Sequence, residues 1–405
     1  MGMYEDILIS LIRSAISPEY KASVPADCDL EKIAALAEEN IVVPLVWYGL
    51  ANSGINIPDK IRAKLEYITY RSVILDQRQI SCFNEISTLF SENNISFMPI
   101  KGILIKRLYP KTEMRPMGDI DILIHNEDYN KIKLLMKNLG YCEIKETDHE
   151  FIWLKGDVCI EFHKHLIPSY NDDYYEYYKD SWKHAKKSDD NRNMYKLEKE
   201  DCFVFLITHF AKHYRDGGIG ITHLLDIYIY LKNINVDMLY INKELKKISL
   251  DVFCDNVIKT AESCFSGTPK SNITNLIITR TFSNGIWGTT TSQALASAAR
   301  ENSGGKSLEG VKKRRFINLL FPTADYLKFR YPILQEHKCF LPIVWVTRII
   351  STLIFKRSNL KKRISELNKT DIKSVSDYQI SLKAVGLDFN LGKHRDNSIA
   401  DLEVK

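Results

Sequence analysis

RPMGDIDILI, residues 115–124, decides the fold. Ile120, Ile122 and Ile124 alternate with Asp119, Asp121 and Leu123, the pattern of a half-buried strand. Successive side chains of a strand point to opposite faces, so Asp119 and Asp121 share one face. Two like charges side by side on an apolar strand repel each other and resist desolvation. A basic side chain or a metal ion must compensate them.

The sequence on either side gives this strand its setting. "ISFMPIKG" (95–102) is a short apolar run ending in Gly102, and "ILIKRLYP" (103–110) after it has helical spacing. "NEDYNKIKLLMKNLGY" (126–141) predicts a helix with Asn126 or Asp128 as N-cap and Gly140 as its stop. "YCEIKE", "HEFIWLK" and "VCIEFHKHL" then predict three strands, with Gly156-Asp157 as a hairpin turn between the last two. Residues 95–168 therefore predict β-α-β-α-β-β-β, an α+β unit.

Helical patterns flank this unit. They cover residues 1–90, with Pro58 opening a long helix, and return from 200 in "EDCFVFLITHFAKHY" and "ITHLLDIYIYLKN". The organisation predicted is a helical region over 1–91, an α+β core over 92–190, a helical region over 191–355 and a charged tail over 356–405. Residues 266–310 are rich in Gly, Ser, Thr and Asn and predict a long loop or loose insertion; the tail is expected to fray.

Bulk composition excludes some classes. Of 405 residues, 45% are hydrophobic and 26% charged, which is ordinary globular usage. A net charge of +5 admits an anionic substrate without indicating nucleic acid. The eight cysteines are scattered with no CxxC pair, so neither a zinc site nor a disulfide framework is indicated, and a reducing cytoplasm fits best. The N-terminus lacks a signal-peptide layout. "CFLPIVWVTRIISTLIF" (339–355) is short and interrupted by Pro342 and Arg348; it predicts a buried or interface helix, with contact at a membrane surface as the alternative.

Candidate chemistry begins with a third carboxylate. In "VCIEFHKHL" (158–166), Cys159, Glu161, His163 and His165 share a face opposite Val158, Ile160 and Phe162. If this strand neighbours the aspartate strand, Asp119, Asp121 and Glu161 converge in a hard-oxygen site suited to Mg²⁺. Lys101 and Gly102, at a strand-to-helix junction, suggest a phosphate contact made by backbone N–H groups and an ammonium. Arg115 suits either the aspartates or a phosphate. His163 and His165 are expected to be hydrogen-bonded polar histidines. His209 and His213 stand i, i+4 on a helix without the glutamate of a metalloprotease motif. The tyrosine-rich 169–182 suits packing better than base stacking, and "KKRR" (312–315) reads as a solvated face.

"PIKG" (99–102), "YP" (109–110), "RPMGDIDILI" (115–124) and "CIEFH" (159–163) together resemble the nucleotidyltransferase superfamily, and within it a bacterial family of uncharacterised nucleotidyltransferases. The resemblance covers about residues 95–230 and continues into 327–348. It implies a small mixed sheet with helices on one side, and transfer of a nucleoside monophosphate from a nucleoside triphosphate, ATP by default, to a hydroxyl acceptor. It implies two Mg²⁺ ions held by Asp119, Asp121 and Glu161, and places Lys101-Gly102 where the superfamily has a phosphate-binding Gly-Ser or Gly-Gly pair. The alternatives are an inactive nucleotide-binding module of the same fold and an RNA-modifying or toxin-antitoxin-type enzyme. Neither the acceptor nor an oligomeric state is legible.

Overall fold

The structure, a computed structural model, describes residues 2–284 except 148, 170 and 190, parts of 292–355, and residues 372–389. The chain opens with four helices: α1 (Met3–Ile16), α2 (Leu30–Glu39), α3 (Val43–Asn52) and α4 (Asp59–Glu92). Asp29 caps α2 by accepting hydrogen bonds from the backbone N–H groups of Glu31 and Lys32. α1 and α3 pack backbone to backbone, and Gly49 makes this feasible: a Cβ there would come within 2.1 Å of the Leu11 carbonyl oxygen. α4 runs for 34 residues, about 50 Å. Its first half, through Ile61 and Leu65, joins the large helical core. Its second half, through Phe83, Ile86 and Phe90, lies on the sheet.

The sheet has five strands: β1 (Phe97–Pro99), β2 (Asp119–Ile124), β3 (Cys142–Glu146), β4 (Glu150–Lys155) and β5 (Val158–His163). Their spatial order is β1-β2-β5-β4-β3. Only β2 and β5 run parallel; the other pairs are antiparallel. A one-turn helix α5 (Gly102–Ile105) follows β1, and α6 (Tyr129–Asn138) follows β2. Ile120, Ile122, Ile124, Phe151, Trp153, Ile160 and Phe162 form the buried side of the sheet with α4 and α6. The α+β reading of 95–168 matches this architecture, including the hairpin, where Gly156 adopts φ +60° between β4 and β5.

Beyond the sheet come α7 (Asp172–Tyr178), a small hairpin of β6 (Ala185–Lys187) and β7 (Tyr195–Leu197), then α8 (Lys199–Asp216), α9 (Ile221–Asn233), α10 (Met238–Lys247), α11 (Asp251–Phe265) and α12 (Asn272–Asn284). Tyr174 and Tyr178 of α7 are buried in the helical core, so the tyrosine cluster serves packing. α12 forms inside the stretch expected to be a loop, because Ile277 and Ile278 find a buried position against the helical core. Most of the remainder of 266–310, and the KKRR run, lie outside the described residues.

The tail also departs from expectation. Helix Ile372–Ala384 falls within it, with Val375, Tyr378 and Leu382 buried in the same core. Tyr378 donates a hydrogen bond to the Arg215 carbonyl, 2.6 Å away. Three apolar residues at helical spacing outweigh the surrounding charge. Helix Leu341–Phe355 packs through Val344 against Leu327 and Leu334 and exposes Ile343 and Val346. No described helix is long and apolar enough to cross a membrane.

The segment between β1 and β2 is held by a buried ion pair that the sequence did not disclose. Lys106 and Asp76 are in contact, 1% and 4% exposed. Thr112 donates to Asp76 (2.6 Å) and Gln79 donates to the Met117 carbonyl (3.0 Å). α4 thus fixes the chain that delivers Asp119 to β2. Removing one partner of a buried pair leaves an uncompensated charge, whereas removing both does not. Lys106→Met is expected to lower unfolding free energy by about 3–5 kcal/mol. Lys106→Met combined with Asp76→Leu should recover most of that loss in urea denaturation; no recovery would show that the pair is not the cause.

Candidate active site

The parallel register of β2 and β5 sets Asp119 opposite Cys159 and Asp121 opposite Glu161. Parallel strands in register present the same face at paired positions, so the three carboxylates occupy one patch. The convergence that the sequence made conditional on strand neighbours is realised. Ligand atoms of Asp121, Glu161 and His163 lie within 4.8 Å of one another. Asp119 stands outside that tightest set, beside it on the same strand.

Asp121 is the hub. The Lys101 ammonium donates to its Oδ1 at 2.8 Å, and Nε2 of His163 lies 2.6 Å from the same oxygen. His163 is therefore a hydrogen-bonded histidine, as expected, and also a neighbour of Glu161 at 3.8 Å. Burial opposes charge on Asp121, but Lys101 and the His163 hydrogen bond overcome it and hold this carboxyl well below the usual range. The other two go the opposite way. Burial and then the charge of Asp121 raise Asp119 to about 6. Burial, Asp119, Asp121 and Glu150 raise Glu161 to about 8. One lysine does not neutralise this cluster. The donor set of carboxylate oxygens and an imidazole fits a divalent cation, and the unrelieved repulsion is what such a cation would discharge. The adjacent Cys159 thiol is pushed up to about 12 by burial and the same carboxylates, so it stays protonated and is a poor ligand.

Lys101 is held there by a strained turn. Its φ of 54° and ψ of −122° are unusual for a residue with a side chain. Just before it, the Ile100 N–H bonds the Asp121 carbonyl at 3.1 Å, fastening the turn to β2. Gly102 follows and opens the next helix. The helix it opens spans only Gly102–Ile105, a single turn with little dipole. A Cβ at Gly102 would meet Nη1 of Arg115 and Sδ of Met117, each at 2.6 Å, so a larger residue would make these side chains shift.

Arg115 pairs with neither aspartate of β2. Its Nε and Nη2 donate to Oδ1 and Oδ2 of Asp226 in α9, at 2.8 and 2.7 Å. Tyr109 donates to the same Oδ1 at 2.7 Å. This bidentate pair ties the helical region to the loop carrying the site. Asp226 was missed because one acid within "HLLDIYIY" looks like an ordinary interruption of an apolar helix. A second missed group is Lys212, between His209 and His213 on α8. The charge of Lys101 acts on all three side chains.

A five-stranded mixed sheet with paired carboxylates on adjacent parallel strands, backed by helices, is the architecture of a nucleotidyltransferase core. The profile of a family described as uncharacterised nucleotidyltransferase matches residues 26–266. The chain belongs to that family. Among solved structures, the chain is similar to the antibiotic-resistance factor ANT(2'')-Ia at 12% identity and a TM-score of 0.32, covering 48% of this chain and 100% of that one. No curated protein matches significantly.

The raised Glu161 gives a pH signature. At pH 7 its carboxyl, with a pKa of about 8, is mostly protonated, and a bound cation lowers that pKa and expels the proton. Calorimetry of Mn²⁺ binding in buffers of different ionisation enthalpy should register release of about one proton per site at pH 7. Release should vanish above about pH 9, where the proton is already gone. Glu161→Gln should abolish it at pH 7; unchanged release in that variant would assign the proton elsewhere.

Proposed function

We propose that this chain transfers a nucleoside monophosphate from a nucleoside triphosphate, with ATP the first donor to test, to a hydroxyl group in a Mg²⁺-dependent reaction. The observation that carries the reading is the Asp121–Glu161 register, which gathers Asp119, Asp121 and Glu161 on one face of the sheet. These three residues would hold the cation. When bound, Mg²⁺ would supply charge neutralisation for the phosphates and the developing alkoxide.

The chain's own groups would do the rest. The ammonium of Lys101, movable on its four-carbon stem, would exchange its contact with Asp121 for a donor phosphate oxygen. The acceptor oxygen would attack the α-phosphorus, the bond to the bridging oxygen would break, and pyrophosphate would leave. Glu161, on β5, would take the hydroxyl proton at a carboxylate oxygen. Arg115 and Gly102 would act from behind, Arg115 by fixing the loop on α9 and Gly102 by giving it room. A cytoplasmic setting belongs to the same proposal.

A nucleotide-binding chain without turnover is the competing reading. The observation that favours it is the Lys101–Asp121 ion pair, which occupies an oxygen the cation needs. Nucleotide affinity and α-phosphate transfer, or slow hydrolysis where no acceptor is known, separate the two when measured on one preparation. Asp119→Asn should weaken Mn²⁺ binding without lowering the melting temperature of the metal-free chain, because it relieves repulsion. Glu161→Gln should leave Mg²⁺-nucleotide affinity within a few-fold and cut turnover by at least about 100-fold. Wild-type binding with no turnover would establish the binding module.

A further inference from the structure

His163 ends β5, two residues beyond Glu161 and therefore on the same face of the strand. Its side chain is only 7% exposed. The register sets it beside Leu123 of β2 and Glu150 of β4. Its Nε2 lies between two carboxyl groups, 2.6 Å from Oδ1 of Asp121 and 3.8 Å from Oε2 of Glu161. The transfer chemistry described above gives this imidazole no part.

A brace for Asp121 is the simplest role for such a histidine, and it accounts for only part of the arrangement. Oδ1 of Asp121 is already held by the Lys101 ammonium at 2.8 Å. Nε2 of a neutral imidazole has a single N–H to give, and Asp121 takes it. Glu161 faces the same nitrogen, yet neither of its oxygens has a hydrogen bond among the described residues, and its side chain is only 20% exposed. Oδ2 of Asp121 has none either, since Lys101 and His163 both use Oδ1. Two open carboxylate oxygens and an imidazole nitrogen, from side chains whose ligand atoms lie within 4.8 Å of one another, suit a group that bonds all three at once. A cation does so; a proton does not.

We infer that His163 is a nitrogen ligand of the cation held by Asp121 and Glu161, and that it makes the site prefer a first-row transition ion such as Mn²⁺ over Mg²⁺. That the ion serves group transfer rests on the reading above; the ligand set does not. In the metal-free chain Nε2 carries the proton that faces Asp121. In the other neutral tautomer the proton sits on Nδ1, and the Nε2 lone pair is free for an ion. The nitrogen is what discriminates between metals. Mg²⁺ keeps oxygen ligands and waters, whereas imidazole suits the first-row transition ions, whose affinity rises from Mn²⁺ onward. Three carboxylates alone would offer no such contrast. Mg²⁺ remains an occupant of the site, but a weaker one.

The test loads the full chain with Mn²⁺, without nucleotide, and reads the ion by pulsed electron paramagnetic resonance. The wild type should show the coupling of a directly bound nitrogen, and chain made with ¹⁵N-histidine should show the ¹⁵N pattern in its place. His163→Gln should abolish the coupling. His209 and His213, whose Nε2 atoms are 3.1 Å apart, are a second pair of nitrogens open to an ion, so His209→Gln with His213→Gln is the control and should leave the coupling intact. Calorimetry gives the selectivity: His163→Gln should weaken Mn²⁺ about tenfold or more and Mg²⁺ by no more than about threefold. If His163→Gln fails to fold, the labelled wild type and the double variant still decide between the two groups of histidines. A wild type that binds no Mn²⁺, or binds it without nitrogen coupling, overturns the inference. So does coupling that survives His163→Gln or is lost in the double variant, and equal losses of both ions would confine His163 to bracing Asp121. Nitrogen coupling in a chain that performs no α-phosphate transfer would sink the transferase reading and keep the ligand; transfer by a chain without the coupling would do the reverse.

Discussion

Two carboxylates held face to face across a parallel strand pair set the terms for the rest of the molecule. β2 and β5 cannot pair in this register without opposing Asp121 and Glu161. The repulsion costs stability, and the surrounding structure is arranged around it. Lys101 is placed over Asp121 by a turn with unfavourable backbone angles, an expense of order 1–3 kcal/mol in such turns. His163 braces the same oxygen. The loop that carries the charge to β2 is anchored twice, by Lys106 on Asp76 of α4 and by Arg115 on Asp226 of α9. Strain, a buried ion pair and a bidentate fork all converge on about twenty residues, and this concentration is what distinguishes a built site from a sheet edge.

The site also lies on the seam between two cores. Ile120, Ile122 and Ile124 belong to the apolar cluster of the sheet, while Leu123 on the same strand belongs to the helical one. β2 is therefore gripped from both faces at its C-terminal end. Its N-terminal end, with Asp119, is left accessible on the carboxylate side. A strand clamped in this way keeps its charged pair fixed.

What was legible in the sequence followed from period and from chemistry that acts locally. The alternation in 119–124 and 158–163 located both carboxylate strands and the faces of their side chains, because strand geometry fixes those directly. Gly140 and Gly156 marked their turns because only positive φ explains them there. The partners of the charges were not legible. Lys106 finds Asp76 and Arg115 finds Asp226 across long separations in sequence, and nothing in the local pattern distinguishes a lysine or arginine that will be buried from one that will be solvated. The approach of Arg115 and Met117 to Gly102 was hidden for a related reason: it is tertiary. The helix at 372–384 was hidden by the charge around it, since a three-residue apolar stripe is a weak signal until a core exists to receive it.

The reach of α4 has a consequence for the order in which the chain matures. The helix precedes the entire sheet in sequence, and synthesis delivers it from the N-terminus onward. As its first turns leave the ribosome, Ile61 and Leu65 can already settle against α1 to α3. Phe83, Ile86 and Phe90 have nothing to cover them until β1, β2 and β5 have been made and paired, and the last of these ends at His163. For the interval in which some seventy further residues are synthesised, the nascent chain carries an aromatic stripe on the outside of a finished helix. That stripe is a natural binding face for a holdase chaperone, and a ribosome pause late in the strand region would lengthen the exposure.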